Sequence, residues 1–210
     1  MRLETLRTFF RLLKSGQFRT IWYRIQTRWY GLDFGFVDVD KFEGDTSRVK
    51  HYDDSGGPRI KNIARKLDIS GSDRLLDIGC GKAGAILAFS AFPFAQVDGV
   101  EISERIVQIA KTNLRKMNVV KSVIYSCDAA NFTALDQYTH FYMYNPFPAV
   151  VMRCVAANIA ASALRRKRRI TLIYATPADH TLVIEAGFKK VGELFSGVPI
   201  YFYTMDTQQE

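Results

Sequence analysis

The sequence predicts a doubly wound α/β fold with a mostly parallel seven-stranded sheet that ends in an antiparallel hairpin. From about residue 55 onward, short apolar runs that suit strands alternate with segments of helical periodicity. The first run leads directly into a glycine-rich turn and a helix, which is typical of ligand-binding α/β proteins. The last two runs meet at a turn around Ser196 and Gly197, which indicates a hairpin rather than another crossover.

The individual elements follow from periodicity and from helix start and stop signals. Pro58 suits an early helical position, and Gly187 suits a helix end. The predicted helices span residues 57–67, 83–92, 103–117, 146–164 and 177–186, and the predicted strands before the hairpin span residues 73–78, 95–100, 122–127, 139–144 and 169–175. Residues 55–210 are therefore predicted to form one domain.

Residues 1–54 are predicted to be a basic, aromatic-rich arm whose first part is helical. Apolar residues recur there at steps of three and four, namely Phe18, Ile21, Trp22, Ile25 and Trp29. Most amphipathic helices face protein, so packing on the domain or on a second subunit is favoured. A basic helix with tryptophan at its apolar edge is also typical of membrane surfaces, so peripheral membrane contact stays open.

Composition excludes several classes of protein. The 210 residues carry a formal net charge of +8, which favours anionic partners. Cys80, Cys127 and Cys154 form neither a disulfide framework nor a paired metal motif, so we expect a reducing, cytoplasmic location. No apolar stretch approaches the roughly 18 residues of a membrane span, and the N-terminus lacks the apolar core of a signal peptide.

The glycine-rich turn after the first strand is the most informative segment. Gly79, Gly81 and Gly84 satisfy the loose glycine pattern of dinucleotide-binding proteins, which alone is a weak signal. Asp77 precedes the turn, where a carboxylate would face the pyrophosphate of a dinucleotide unfavourably but would suit a ligand with an ammonium and a sulfonium group. Glu101 ends the second strand, where an acidic residue bonds ribose hydroxyls.

These segments resemble the class I S-adenosylmethionine-dependent methyltransferases. Residues 75–84, LLDIGCGKAG, look like the first family motif, residues 99–103, GVEIS, like the second, and residues 126–129, SCDA, like the third. One departure is Ala83, where the commonest first motif has a third glycine. The resemblance implies S-adenosylmethionine as cofactor, bound by Asp77, Gly79, Cys80, Gly81, Glu101, Ile102, Asp128, Ala129 and Asn145.

The resemblance also implies a role for each group. The glycine turn lies against the cofactor, Glu101 holds both ribose hydroxyls, and Asp128 faces the adenine amino group between Ile102 and Ala129. Each acidic residue also has a purely structural reading: Asp77 capping loop amides, Glu101 pairing with a cation, and Asp128 forming a turn.

Residues 141–148, FYMYNPFP, follow the fourth strand and resemble the Asn-Pro-Pro-aromatic motif of amino-group methyltransferases. The resemblance implies that Asn145 and the carbonyl of Pro146 accept hydrogen bonds from an acceptor NH₂ and that Phe147 stacks on a planar acceptor. The aromatic residue comes one place early, because Pro148 occupies its usual position. Asn145 and Pro146 also suit the N-cap and first residue of the following helix.

The histidines and the longest basic run point to no further chemistry. His51, His140 and His180 are dispersed and show no metal spacing, so no metal is predicted. Residues 165–169, RRKRR, invite a nucleic-acid interpretation, but they follow a helix at the edge of the sheet opposite the glycine turn. A solvated surface is favoured there over nucleic-acid contact.

The sequence predicts methyl transfer to a nitrogen of an acceptor that it does not identify. O-methylation of a sugar or lipid-linked acceptor near a membrane stays open. Two other classes also stay open: a nicotinamide-dependent oxidoreductase, and a non-catalytic protein that binds S-adenosylmethionine or RNA. No residue spacing in the sequence predicts the oligomeric state or the role of the arm.

Overall fold

The computed structural model describes residues 25, 27–34, 56–145 and 147–208. The helices are α1 (Pro58–Ala64), α2 (Gly84–Phe89), α3 (Glu104–Lys116), α4 (Ala149–Arg165) and α5 (His180–Glu185), and a 3₁₀ turn spans Ala129–Asn131. The strands are β1 (Arg74–Ile78), β2 (Gln96–Glu101), β3 (Ile124–Ser126), β4 (His140–Tyr144), β5 (Arg169–Ala175), β6 (Lys189–Phe195) and β7 (Pro199–Asp206).

The seven strands form one sheet in the order β3-β2-β1-β4-β5-β7-β6. Strands β1 to β5 are parallel, whereas β7 pairs antiparallel with both β5 and β6. The predicted fold class, including the closing hairpin, is therefore confirmed. Because the strand order reverses between β1 and β4, the carboxyl ends of these two strands flank the crevice where open α/β sheets bind ligands.

Two apolar clusters cover the two faces of the sheet. On one face, α1, α2 and α3 pack around Leu75, Tyr142 and Ile173. On the other face, α4 and α5 pack around Phe141, Leu172 and Tyr203. Alternate residues of each strand therefore enter opposite clusters, which explains why the central strands read as nearly continuous apolar runs.

A difference from the predicted elements that bears on the site lies at the start of α4. The predicted helix began at residue 146 with Asn145 as its N-cap, but α4 begins at Ala149 and Pro148 is its N-cap residue. Asn145 instead has a left-handed φ of 39°, so the chain turns there before the helix can start. The capping interpretation of Asn145 is therefore wrong, and Pro146 lies outside the described residues.

Only a short part of the predicted arm is described. Residues 25 and 27–29 are helical, in agreement with the predicted helix, and the rest of the apolar stripe lies outside the described residues. Residues 31–33 contact the domain through hydrogen bonds to α3. Within the described part of the chain, no helix has the length and apolar character needed to cross a membrane.

Candidate cofactor and acceptor site

The glycine turn after β1 is folded back against the end of β2. The amides of Gly79 and Cys80 both donate to the carbonyl oxygen of Val100, at 2.9 and 3.0 Å. Gly79 and Gly81 have φ values of 77° and 52°, which side chains with a Cβ rarely adopt. Ala83 shares this left-handed conformation, so the alanine that departs from the usual motif is under backbone strain.

The Cys80 side chain packs between the glycine turn and β2. Its side chain is buried and contacts the backbone of β2 where Gly99 leaves space for it. A Cβ at Gly99 would lie 2.6 Å from the Cys80 Sγ and 2.6 Å from Ile86 Cδ1. Burial and the charges of Asp77 and Glu101 raise the pKa of the Cys80 thiol, so this sulfur stays protonated and serves packing.

Glu101 links the glycine turn to the start of α3. Its Oε2 accepts a hydrogen bond from the Gly81 amide at 3.1 Å, and its Oε1 accepts one from the Ser103 amide at 2.9 Å. Burial raises the pKa of Glu101, and these amide donors act in the opposite direction. Each carboxylate oxygen keeps a second lone pair, so Glu101 is able to accept bonds from a diol as well.

Asp77 lies at the carboxyl end of β1, beside the turn, and is 1% exposed. Its Oδ2 is buried and has no hydrogen-bond partner among the described residues. Burial raises the pKa of Asp77 well above its usual value, and the negative charge of Glu101 raises it further. A buried acceptor without a partner is costly, and a ligand ammonium group would satisfy it. The residues therefore fit the predicted cofactor.

The residues that are predicted to line an adenine slot follow the ends of β2 and β3. The Cys127 amide donates to the carbonyl of Glu101 at 3.0 Å, which holds the segment after β3 against β2. Asp128 uses its Oδ1 to accept a bond from the Ala130 amide at 2.9 Å, and Ala129 is buried. The turn interpretation of Asp128 is thus correct, and its contact with adenine stays a prediction. Ile102 is half-buried beside Glu101.

Asn145 follows the carboxyl end of β4, which pairs with β1 and therefore lies beside the glycine turn. Asn145 is half-buried, and its Oδ1 accepts a hydrogen bond from the Tyr174 hydroxyl at 3.4 Å. The Tyr174 oxygen in turn lies 3.5 Å from the Asp179 amide, which donates to it. Burial raises the pKa of Tyr174 to about 12, so its hydroxyl keeps the proton that it donates to Asn145.

Phe147 does not reach this edge in the predicted way. Its side chain is 7% exposed and packs in the apolar cluster between the sheet and α4. Little of the ring surface is therefore available for stacking on an acceptor. The aromatic residue that ends β4 at the edge is Tyr144, which the sequence did not single out.

A contact that the sequence did not predict ties the arm to the glycine turn. Asn113 of α3 accepts a bond from the Asp33 amide and donates to the carbonyl oxygens of Asp33 and Lys82, each at 3.0 Å. The buried Lys82 ammonium lies 2.6 Å from the Asp33 carboxylate. One signal could have revealed Asn113: it is a polar residue on the apolar face of α3, near Ala110 and Leu114.

The remaining candidates lie away from the site. His140 is buried at the start of β4, His180 is exposed with its ring against Tyr201, and His51 lies outside the described residues. Burial lowers the pKa of His140, which favours its neutral form, while Asp73 opposes this shift. Among the described residues, no cluster of three or more His, Cys, Asp or Glu side chains could hold a metal.

The basic run is mostly solvated, as predicted, but one of its members is structural. Arg165 pairs with Asp136 at 2.6 Å, and this bond lowers the pKa of Asp136 to about 2. Arg168 turns inward and donates to the carbonyl oxygens of Leu135, Tyr138 and Ser162. Arg168 therefore anchors the connection between α4 and β5 to neighbouring backbone carbonyl groups.

Comparisons with known proteins agree with this site. A family model described as a methyltransferase domain matches residues 69–170, which include the glycine turn, Glu101, Asp128 and Asn145. No curated protein matches the chain by sequence.

Several solved structures, two of them named as methyltransferases, share the fold. The mitomycin 7-O-methyltransferase MmcR has a TM-score of 0.56 at 16% identity, with 70% of this chain and 52% of that chain covered. Ribosomal protein L11 methylase from Lactobacillus delbrueckii subsp. bulgaricus has a TM-score of 0.58 at 10% identity, over 71% of this chain and 77% of that chain. A mutant of MtNAS, solved in complex with S-adenosylmethionine, has a TM-score of 0.55 at 18% identity, over 69% of this chain and 59% of that chain. The chain spans about half the length of the first of these, MmcR.

The sheet order, the glycine turn with its two acidic partners and the matched domain define a class I methyltransferase fold with a cofactor site. Residues 69–170 therefore match a methyltransferase domain, and the chain has the fold of S-adenosylmethionine-dependent methyltransferases. The match favours a methyltransferase over the nicotinamide-dependent oxidoreductase that the sequence left open.

Proposed function

We propose that the chain is an S-adenosylmethionine-dependent methyltransferase, that it transfers the methyl group to a nitrogen atom of its acceptor, and that Asn145 orients this nitrogen. When bound, S-adenosylmethionine supplies a sulfonium methyl group that a nitrogen lone pair attacks directly. Asn145 follows β4 at the point where the strand order reverses, next to the glycine turn on β1. An acceptor at this crevice lies within reach of both the cofactor and the Asn145 amide.

The observation that carries this proposal is the fixed position of the Asn145 oxygen. The Tyr174 hydroxyl donates to it, and the φ of 39° turns the residue out of the strand direction. An amide oxygen has two lone pairs, so Asn145 is able to accept a bond from an acceptor N–H as well as from Tyr174. Such a contact aims the nitrogen lone pair, and alignment supplies much of the acceleration in group transfer.

The proposal is tested with Asn145→Ala and Tyr174→Phe, assayed by transfer of a labelled methyl group from S-adenosylmethionine to fractions of a cell extract. We expect Asn145→Ala to reduce transfer about 100-fold and Tyr174→Phe about tenfold, with binding of S-adenosylhomocysteine unchanged in both. Full turnover in an Asn145→Ala protein that binds cofactor normally would refute the role. Chemical identification of the labelled atom separates N- from O-methylation.

A membrane-proximal acceptor is the second candidate, and the exposure of the arm favours it. The side chains of Ile25, Trp29 and Tyr30 are 48%, 86% and 52% exposed. The exposed Arg28 precedes Trp29 in the chain, and Lys116 donates a hydrogen bond to the carbonyl of Gly31. Such a surface suits an anionic lipid interface. Trp29→Ala should reduce sedimentation with phosphatidylserine-containing vesicles, whereas the distant Phe195→Ala should not. Equal sedimentation with vesicles of phosphatidylcholine alone would contradict the electrostatic part.

The proposed membrane contact of the arm also bears on where the protein is located in the cell. A cytoplasmic protein that reaches the inner face of a membrane through residues 25–30 agrees with its free cysteines and its exposed aromatic side chains. Fractionation of cells at low and high salt tests this part of the proposal.

A further inference from the structure

A guanidinium group lies at the acceptor side of the site and is held on two sides. Arg59 of α1 donates from Nε to the carbonyl oxygen of Ser196, in the turn between β6 and β7, at 3.2 Å. Its guanidinium also lies over the ring of Tyr144, 4.9 Å from the ring centre. Asn62 fixes the same turn through a bond to the Ser196 hydroxyl at 3.0 Å. The position of the cation is thus set by the fold rather than by solvent.

One nitrogen of this guanidinium, Nη1, has no hydrogen-bond acceptor among the described residues. The Nη1 atom of Arg59 is buried and has no hydrogen-bond partner, and no carboxylate pairs with this side chain within the described ranges. A buried charged donor normally has a partner, because removing water from a charged group costs more free energy than removing it from a neutral group. An anion bound beside Nη1 would satisfy this donor and balance the charge.

A second unsatisfied donor lies on the neighbouring strand end. Tyr144 pairs with Ala175, the last residue of β5. Thr176, which follows β5, has a φ of 53° and a buried Oγ1 without a hydrogen-bond partner in the described structure. Both donors are thus at the carboxyl edge of β4 and β5. The cofactor residues Glu101 and Asp128 are at the other end of this edge, on β2 and after β3.

We propose that Arg59 binds an anionic group of the methyl acceptor, a carboxylate or a phosphate, and that the enzyme therefore acts on anionic molecules. The planar fork of an arginine matches the two oxygens of either group. The inference rests on the proposed placement of the acceptor beside Asn145, because Tyr144, over which Arg59 lies, directly precedes that residue. The basic character of the chain, with a net charge of +8, favours the approach of such an acceptor.

The test uses binding rather than turnover, so that it does not depend on knowing the acceptor. Inorganic phosphate and, separately, benzoate are titrated into the full chain saturated with S-adenosylhomocysteine. We expect at least one of them to bind, and Arg59→Met to weaken that binding about tenfold or more, with Arg59→Lys between the two. Arg65→Met, an exposed change at the end of the same helix, is the matched control and should bind as the wild type does.

The outcomes separate this inference from its alternatives. If neither anion binds, or if Arg59→Met binds both unchanged, the inference is wrong. If Arg59→Met instead weakens S-adenosylhomocysteine about tenfold or more, the anion is the carboxylate of the cofactor, which also overturns an acceptor site. Full turnover of Asn145→Ala would refute the proposed role of Asn145 but would leave these binding results unchanged, so the two failures are distinguishable.

Discussion

Asp77 and Glu101 bring two buried carboxylates to the ends of adjacent parallel strands, and the charge of Glu101 raises the pKa of Asp77. Glu101 is held by two backbone amides, whereas the Oδ2 of Asp77 has no partner in the described part of the chain. The unliganded protein therefore bears an electrostatic cost at this point. A cationic cofactor relieves that cost, so the same pair destabilises the empty site and stabilises the complex.

Replacing Asp77 should separate stability from binding. We expect Asp77→Asn to raise the Tm of the unliganded protein at neutral pH, because it removes a buried charge next to Glu101. The same change should weaken S-adenosylmethionine about 10- to 100-fold, because a charged hydrogen bond to the ammonium group is lost. Thermal unfolding and calorimetric titration of the two proteins measure these effects.

The matched control is Asp98→Asn, a buried aspartate of β2 whose oxygens bond Val123, Tyr138 and Gln96. It should lower the Tm and not raise it. An increase of similar size in both variants would show that the gain does not come from the carboxylate pair.

The pH dependence of this gain has a definite sign. Because the folded-state pKa of Asp77 is raised, the folded protein binds more protons than the unfolded chain between the two pKa values. The stability of the wild type therefore falls as pH rises through that window, and that of Asp77→Asn falls less. The advantage of the variant should be largest above the raised pKa and should vanish near pH ~4. An advantage that grows toward acid pH contradicts this assignment.

The close approach of Gly99 to the glycine turn predicts a specific failure. In Gly99→Ala, the new methyl group meets Cys80 Sγ and Ile86 Cδ1, so the turn must move. We expect a loss of about 1–3 kcal/mol in the free energy of unfolding and a weaker cofactor affinity. Gly71→Ala, where a Cβ meets nothing within 4 Å, should leave both unchanged, and denaturant unfolding with cofactor titration compares them. Equal behaviour of the two variants would contradict the tight contact.

The contact between the arm and the glycine turn should also be measurable. Asn113→Ala removes three hydrogen bonds that join Asp33, Lys82 and α3, so we expect a loss of about 1–3 kcal/mol in stability. Because Lys82 follows Gly81, affinity for S-adenosylhomocysteine should fall as well. Gln108→Ala, an exposed change on the same helix, is the control. Wild-type stability and affinity in Asn113→Ala would show that residues 31–33 do not support the turn.

Variants of the basic run, residues 165–169, distinguish a structural role from binding of nucleic acid. Arg168→Ala should destabilise the chain by about 1–3 kcal/mol, because buried carbonyl groups lose their donor. The exposed pair Arg166→Ala and Lys167→Ala should leave the stability unchanged. Electrophoretic mobility shifts with RNA compare the same proteins, and a large loss of RNA binding in the exposed double variant would instead support nucleic-acid contact.

The fold was predictable because the central strands are short apolar runs bounded by glycine, proline or polar residues. The glycine turn, Asp77 and Glu101 could be found for the same reason, since each lies at a fixed place relative to a strand end. The start of α4 was not predictable from local preference: Asn145 and Pro146 suit a helix start, but the left-handed turn at Asn145 delays the helix to Ala149.

Contacts between residues far apart in the chain could not be predicted from the sequence pattern. Asn113 and Asp33 are 80 residues apart, and Arg59 and Ser196 are 137 apart. Periodicity shows which face of an element is buried, but not which residue of another element meets it. The contacts of Arg59 and Asn113 therefore required the assembled sheet.

The central claim is that the crevice binds S-adenosylmethionine through Glu101, and calorimetric titration tests it most directly. The purified chain is titrated with S-adenosylmethionine, S-adenosylhomocysteine and NAD, beside Glu101→Ala. We expect micromolar binding of the first two ligands, loss of both in the variant, and no binding of NAD. Binding of NAD alone, or undiminished binding of S-adenosylmethionine by Glu101→Ala, would contradict the account.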